Sequence, residues 1–299
     1  MSSNTVLQRV LVTGVGGPSG KAATTALKAR GFFVVGADMQ VVPNDCDQFV
    51  QVPAALDTTY PDKLRTLIRE HRIGWLFPTV AEELGIVAEL AAEFRTQGVV
   101  VFISAPAGVH ICQDKWETAQ ALHACDIAVP KSAVGREDDP AVRALGFPVV
   151  SRPRVGRGGR GVVVHDAAGI APSLAEPIWQ EFMSGIEYDV LLVRHPDVPH
   201  RIIMCQVFEK TALKEGRVGN AIGIKALDTT DPDAQDVAAL AENAARALSL
   251  TGPLDMDIRR GVDGVPRLLE INARIGAHAL QAPAVFDVLV ELVRQGHKG

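Results

Sequence analysis

Over the first third of the chain, short apolar runs alternate with helical repeats. Arg9 to Thr13 (RVLVT) reads as a buried strand. Gly14 to Gly20 reads as a glycine-rich turn, and Lys21 to Arg30 as a helix ended by Gly31. Phe32 to Ala37 (FFVVGA) and Gly74 to Pro78 (GWLFP) are strands, with a helix over Tyr60 to His71 between them. Ala81 to Gln97 reads as a long helix, and Val99 to Ile103 (VVVFI) as the next strand. Uninterrupted apolar strands alternating with helices predict a parallel sheet covered on both faces.

The pattern then changes to antiparallel pairs. A helix is expected over Asp114 to Cys125, and a loop begins at Pro130. Phe147 to Ser151 and Val162 to His165 pair as a hairpin around the basic glycine loop Arg154 to Gly161. Pro177 to Met183, Glu187 to Val193 and Arg201 to Glu209 are further strands. Asp233 to Leu248 reads as an alanine-rich helix, and Leu254 to Arg259 with Pro266 to Ile271 as a second hairpin. A last helix runs from Ala282 to Gln295, and the boundary between the halves falls near Ser104 to Pro106.

Composition narrows the classes. With 299 residues, 47% of them hydrophobic, the chain has material for two packed domains. A net charge of -5 leaves no electrostatic footprint for nucleic acid. No apolar stretch reaches the ~18 residues of a membrane span. The opening Met-Ser-Ser-Asn-Thr lacks the charged region and apolar run of a signal peptide. Cys46, Cys112, Cys125 and Cys205 form no C-x-x-C pair and read as reduced thiols of a cytoplasmic protein.

The chemistry concentrates in LLEINAR, Leu268 to Arg274. On a strand, Glu270, Asn272 and Arg274 share one face, because side chains alternate with period 2. Asp257, in LDMDI, falls opposite Glu270 across the hairpin. Two carboxylates and an amide oxygen suit magnesium, which takes hard oxygen ligands, and Arg274 would meet a phosphate or an acyl oxyanion. The glycine loop lets backbone N–H groups approach phosphates, with Arg152, Arg154, Arg157 and Arg160 adding charge. In WQEFMSGIEYD, an extended segment around Gln180 and Glu181 can present backbone groups to an adenine edge, and Glu187 can hold ribose.

These segments, in this order, resemble the ATP-grasp superfamily, in its carbamoyl-phosphate synthetase large-chain-like and carboxylate–amine ligase branch. The resemblance covers nearly the whole chain. It implies an α/β plus α+β architecture. A Rossmann-like pre-ATP-grasp domain (1–104) faces the substrate, and an ATP-grasp domain (105–299) carries a small flap subdomain (about 130–183). It implies ATP with Mg²⁺ or Mn²⁺ as cofactors. Lys115, Arg152, Arg154, Gly158 and Gly159 would bind phosphates. Glu181, Phe182 and Met183 would line the adenine pocket, Glu187 would hold ribose, and Asp257, Glu270 and Asn272 would hold the metal. Arg274, Arg152 and Lys214 are the expected catalytic residues, with Lys210 an alternative to Lys214. Ser19, Glu82, Glu83, Arg274 and His278 would face the substrate.

The implied activity is ATP-dependent activation of a carboxylate as an acyl phosphate, then joining to an amine, with ADP and phosphate released. The partners are a small-molecule carboxylate and an amine, amino acids among them. Carboxylate phosphorylation without bond formation is the alternative, and an ATP-binding protein without catalysis is a second. VTGVGGPSG followed by Asp38 also fits a dinucleotide-binding oxidoreductase. That reading lacks its catalytic pair, since neither Tyr60 nor Tyr188 has Lys four residues on. Oligomeric state is not readable from the chain, and a homodimer stands open.

Overall fold

A computed structural model describes residues 9–156, 159–168, 176–198 and 200–295. Its first sheet is parallel and five-stranded, in the order β3-β2-β1-β4-β5. The strands are β1 (Arg9–Thr13), β2 (Phe33–Asp38), β3 (Gln48–Gln51), β4 (Trp75–Phe77) and β5 (Val100–Val101). β1 is apolar on both faces because both are covered. Leu11 packs with Leu64, Leu67 and Phe94 from helices α2 (Tyr60–Glu70) and α3 (Leu84–Thr96). Val10 and Val12 pack with Ala23 and Leu27 of α1 (Pro18–Ala29). The strand order reverses between β1 and β4, and a crevice opens there at their carboxyl ends.

Helix α1 starts at Pro18, three residues ahead of the expected Lys21, because proline is preorganised for the first helical position. Gly20 permits this early start, since a Cβ there would lie 2.2 Å from the Gly14 carbonyl oxygen. The expected helix over 81–97 is a 3₁₀ turn, Ala81–Glu83, followed by α3.

The second sheet is antiparallel, in the order β12-β11-β10-β13-β14. Its strands are β10 (Glu187–Arg194), β11 (Ile202–Leu213), β12 (Ala221–Ala226), β13 (Gly252–Arg260) and β14 (Pro266–Asn272). One face presents Val190, Leu192, Met256 and Ile258 to the alanine-rich helix α7 (Pro232–Ala247). The Arg194 guanidinium donates to the Ala245 and Leu250 carbonyls at 2.9 and 2.7 Å and so closes the end of α7. On the opposite face, Leu191, Val193 and Phe208 share a core with Val10, Val12 and the C-terminal helix α8 (Ala284–Gln295). Two further links join the sheets. Arg30 pairs with Asp287 at 2.8 Å, and Ser104 exchanges hydrogen bonds with the Thr251 backbone at 3.0 Å.

The third sheet is small, in the order β6-β9-β7-β8. It comprises β6 (Ser132–Val134), β7 (Val149–Pro153), β8 (Val163–His165) and β9 (Pro177–Glu181). Ala133, Val142, Val149 and Trp179 form its core. Ser151 and His165 meet at 2.7 Å inside it. The expected hairpin is β7 with β8, in the register Ser151 to Val163. Helices α4 (Pro106–Gln113), α5 (Lys115–His123) and the short α6 (Pro140–Arg143) complete the chain. Among the described residues no helix is long and apolar enough to cross a membrane.

Candidate active site

The site-bearing face of the second sheet follows from register. Lys210 of β11 reaches Glu187 of β10, and Glu187 lies opposite Arg259 of β13. One level along, Asp189 lies opposite Asp257, which lies opposite Glu270 of β14. At the next level, Leu191 lies opposite Asp255, which lies opposite Asn272. Ten of the polar side chains that matter therefore come from four adjacent strands and from the turn after β14. They line a cavity of about 870 Å³ that extends to the Gly14–Gly17 turn and to Thr79 and Val80 of the first sheet.

Cations cover the acidic row. Lys210 Nζ lies 2.7 Å from Glu187 and also bonds Asp257. Burial alone would depress its pKa, but Asp257, Glu187 and Asp189 outweigh it and hold the ammonium charged. Lys115 Nζ lies 3.3 Å from Glu270 and donates to the Gly156 carbonyl at 3.0 Å. Here burial wins, and the Lys115 pKa is lowered despite Glu270. Arg274 donates to Asn272 Oδ1 at 3.1 Å and to Asp255 at 3.3 Å. Arg152 is buried and donates to the Leu269 carbonyl, while its Nε has no partner. A buried guanidinium with an unmet donor fits an anionic oxygen from a ligand.

Asp257, Glu270 and Asn272 each present an oxygen that a cation of the protein already holds. That donor set fits a hard divalent ion. Among the described residues no three His, Cys, Asp or Glu side chains form a metal cage. The set is instead two carboxylates with an amide, as the period-2 reading expects.

Lining the same cavity are Ser19, Gly159, the stretch Glu181 to Met183, Glu187 and His278. Gly159 sits in left-handed backbone, φ +66°, where a Cβ would lie 3.0 Å from Gly219, so the glycine loop meets the β11–β12 turn. Phe182 lies under two guanidiniums, Arg217 at 4.5 Å and Arg259 at 5.1 Å from its ring centre. Glu187 is held by Lys210 and by Arg259 at 3.2 Å, so a ribose would have to displace one of them.

Several expected residues sit elsewhere. Lys214 is exposed at the end of β11, outside the cavity, and the lysine that enters is Lys210. Arg154 is tied to Asp114, the N-cap of α5, at 2.7 and 3.0 Å, and does not line the cavity. Glu82 lies outside the lining as well. Glu83 is fully buried. It accepts from Thr13, Tyr60 and the Thr79 and Val80 backbone N–H groups, the last two at 3.1 and 3.0 Å. This carboxyl fastens the turn after β4 rather than facing a substrate. Gly158 and Arg157 lie outside the described residues.

Sequence reasoning passed over Asp189, Asp255 and Arg259. Each stands two positions from a residue it did single out, on the same strand face, and that spacing was the available signal. Asp255 and Asp189 form a buried pair. Burial and the Asp189 charge push Asp255 well up, while His278, Asp255 and Lys210 hold Asp189 down against its own burial. Asp38 is committed to the Gly16 and Gln40 N–H groups at 2.9 and 3.1 Å, which does not favour a dinucleotide ribose there.

Fold and site together define a class. Residues 112–278 match the family described as ATP-grasp domain, more than half of the chain. The chain belongs to that family. Residues 10–102 match the family described as PylC-like, N-terminal domain. The chain is 28% identical over 117 residues to a carbamoyl phosphate synthase large chain from Kocuria rhizophila, covering 38% of this chain and 11% of that protein. It is 26% identical over 210 residues to a D-alanine–D-alanine ligase from Neisseria meningitidis, covering 63% of this chain and 69% of that one. An L-amino acid ligase from Bacillus licheniformis shares the fold with a TM-score of 0.72 at 15% identity, covering 92% of this chain and 69% of that one.

Proposed function

We propose that this protein is a Mg-ATP-dependent carboxylate–amine ligase. It transfers the γ-phosphoryl group of ATP to a small carboxylate and joins the acyl group to an amine, with release of ADP and phosphate. The observation that carries this reading is one row of side chains. Asp257, Glu270 and Asn272 share a cavity with Lys115, Lys210 and the unmet donor of Arg152. The cavity also reaches the glycine turn of the first sheet, which leaves room for a second reactant.

The roles follow from position. Asp257, Glu270 and Asn272 would hold the magnesium or manganese ion, which supplies neutralisation of phosphate charge. Lys115, Arg152 and Gly159 would hold phosphate oxygens, and Arg274 the oxygens of the carboxylate or acyl group. The lysines would exchange carboxylate partners for phosphate partners as ATP enters, so buried charge stays compensated throughout. Glu181 to Met183 would line the adenine and Glu187 the ribose. Ser19 and the crevice of the first sheet would face the substrate. We assign 1–104 to a substrate-facing unit and 105–299 to the nucleotide-binding unit, with about 130–183 as its flap, acting in the cytoplasm. Such transfer depends on positioning and charge neutralisation more than on a protein nucleophile.

The test is ADP release with Mg-ATP across amino acids and small carboxylates. Glu270→Gln should abolish it, and full turnover in that variant would overturn the metal assignment. AMP in place of ADP would overturn the acyl-phosphate route.

A further inference from the structure

We infer that His278, oriented by Asp189, accepts the proton that the amine nucleophile loses as it attacks the activated carboxylate. The inference rests on the ligase reading above and adds a proton acceptor to it.

An amine in its ammonium form has no lone pair, so C–N bond formation requires a base near the acyl carbon. Of the acids on the cavity wall, Glu187, Asp257 and Glu270 are held by lysines, and Glu181 accepts from the Lys131 N–H at 3.0 Å. Lys115 and Lys210 are each occupied by carboxylates of the acidic row. Asp38 already accepts two backbone N–H groups. Tyr60 is bonded to Glu83, which is fully buried outside the cavity lining. His278 differs in kind. Its Nδ1 hydrogen-bonds Asp189, its ring lines the cavity, and its side chain keeps 24% exposure. Among the described residues nothing bonds its Nε2. In the tautomer whose Nδ1–H donates to the Asp189 carboxylate, Nε2 holds the ring's lone pair, and the ring lines the cavity.

The surroundings hold this dyad in place. Asp189 is 4% exposed, at the centre of the sheet. At Gly276 a Cβ would lie 1.9 Å from Asp255 Oδ1, so only glycine lets the chain pass this close over the sheet. Two residues later that path delivers His278 above Asp189. His278 then starts the 3₁₀ turn Ala279–Gln281, which packs on α1 beside the glycine turn of the first sheet. The ring therefore stands between the acyl-forming row and the crevice where a second reactant would sit.

The step balances. The amine nitrogen gives its lone pair to the acyl carbon, the C–O bond to phosphate breaks with its electron pair, and inorganic phosphate leaves. The proton shed by nitrogen passes to Nε2. Asp189 stabilises the resulting imidazolium and is a positioning residue.

The experiment compares two nucleophiles with Mg-ATP and the same panel of amino acids and small carboxylates as acyl donors. One is the amino acids' own amines. The other is hydroxylamine, which is uncharged at neutral pH and traps the acyl phosphate as a hydroxamate without needing a base. His278→Ala should lower amide formation by about 10²- to 10³-fold, the usual share of a general base. Hydroxamate formation should fall less than about tenfold. Added imidazole should restore part of the amide formation to His278→Ala, and Asp189→Asn should slow it with KM little changed. Equal loss of both products in a variant that melts like the wild type overturns the proposal, and so does unimpaired amide formation. Should His278→Ala fail to fold, His278→Asn carries the same comparison. Wild-type hydroxamate without amide overturns amine ligation, and this inference with it, but leaves carboxylate activation standing. Neither product from the wild type overturns the parent reading.

Discussion

Lys210 on β11 bonds Asp257 on β13, passing over the strand between them and touching its Glu187 on the way. One ammonium thus serves two carboxylates in three adjacent strands. The pairing makes this lysine the counter-charge of the site's floor.

Replacing Lys210 by Met should leave Asp257, 30% exposed, without its ammonium partner and Glu187 with Arg259 alone. With one acid partly solvated and the other still paired, the cost should be about 1–3 kcal/mol, below that of a fully buried pair. The urea midpoint should drop accordingly, and millimolar Mg²⁺ should recover part of the loss in the variant and little in the wild type.

Glu83 should make the protein less stable as pH rises. Its folded pKa is raised, because complete burial outweighs the hydrogen bonds from Thr13, Tyr60, Val80 and Thr79. A raised carboxyl contributes its full stability below the ordinary pKa of 4.5 and loses it as pH climbs through the folded value. Glu83→Gln keeps an acceptor for the two N–H groups and cannot ionise. Urea midpoints for wild type and variant between pH 4 and pH 8 should therefore diverge, with the variant gaining relative stability toward pH 8.

Gly20→Ala tests the close approach of α1 to the glycine turn. Alanine gains about 1 kcal/mol in helix propensity over glycine. The new Cβ would meet the Gly14 carbonyl at 2.2 Å, a backbone contact that cannot swing aside. The clash should win, with a net loss of about 1–3 kcal/mol in chemical denaturation.

Asp114→Ala removes an N-cap that accepts from Trp116 N–H at 2.8 Å and leaves Arg154 without its bidentate partner. A lost cap costs about 1 kcal/mol. Since Lys115 is the first residue of the capped helix, Mg-ATP affinity by calorimetry should fall along with stability.

Much of this molecule is legible in its sequence. Buried strands such as RVLVT announce themselves because both faces are covered, and the Asp257–Glu270 pairing follows from one hairpin and period 2. The missed elements have weak patterns for physical reasons. β3 is a four-residue edge strand with Gln at each end, β6 has three residues, and β12 is an edge strand interrupted by Gly223. Helix α4 has only eight residues, too few turns for its apolar positions to reveal a period. Glu83 misled for another reason. Two adjacent acids at a helix start look alike in sequence, and only packing shows that one points inward to fasten a turn. Lys210 and Lys214 were likewise indistinguishable until strand β11 proved to run through Leu213, which puts Lys210 on the inner face and Lys214 beyond the strand's end.

Helix α8 shares one apolar core with the parallel sheet and the central antiparallel sheet, so common packing ties those two walls of the cavity together. The small sheet has its own core of Ala133, Val142, Val149 and Trp179. Under the ligase reading proposed above, that separately packed sheet would be the jaw through which nucleotide is admitted and product escapes. Its meeting point with the central sheet is the contact of Gly159 with Gly219, so that contact is where opening of the cavity would begin.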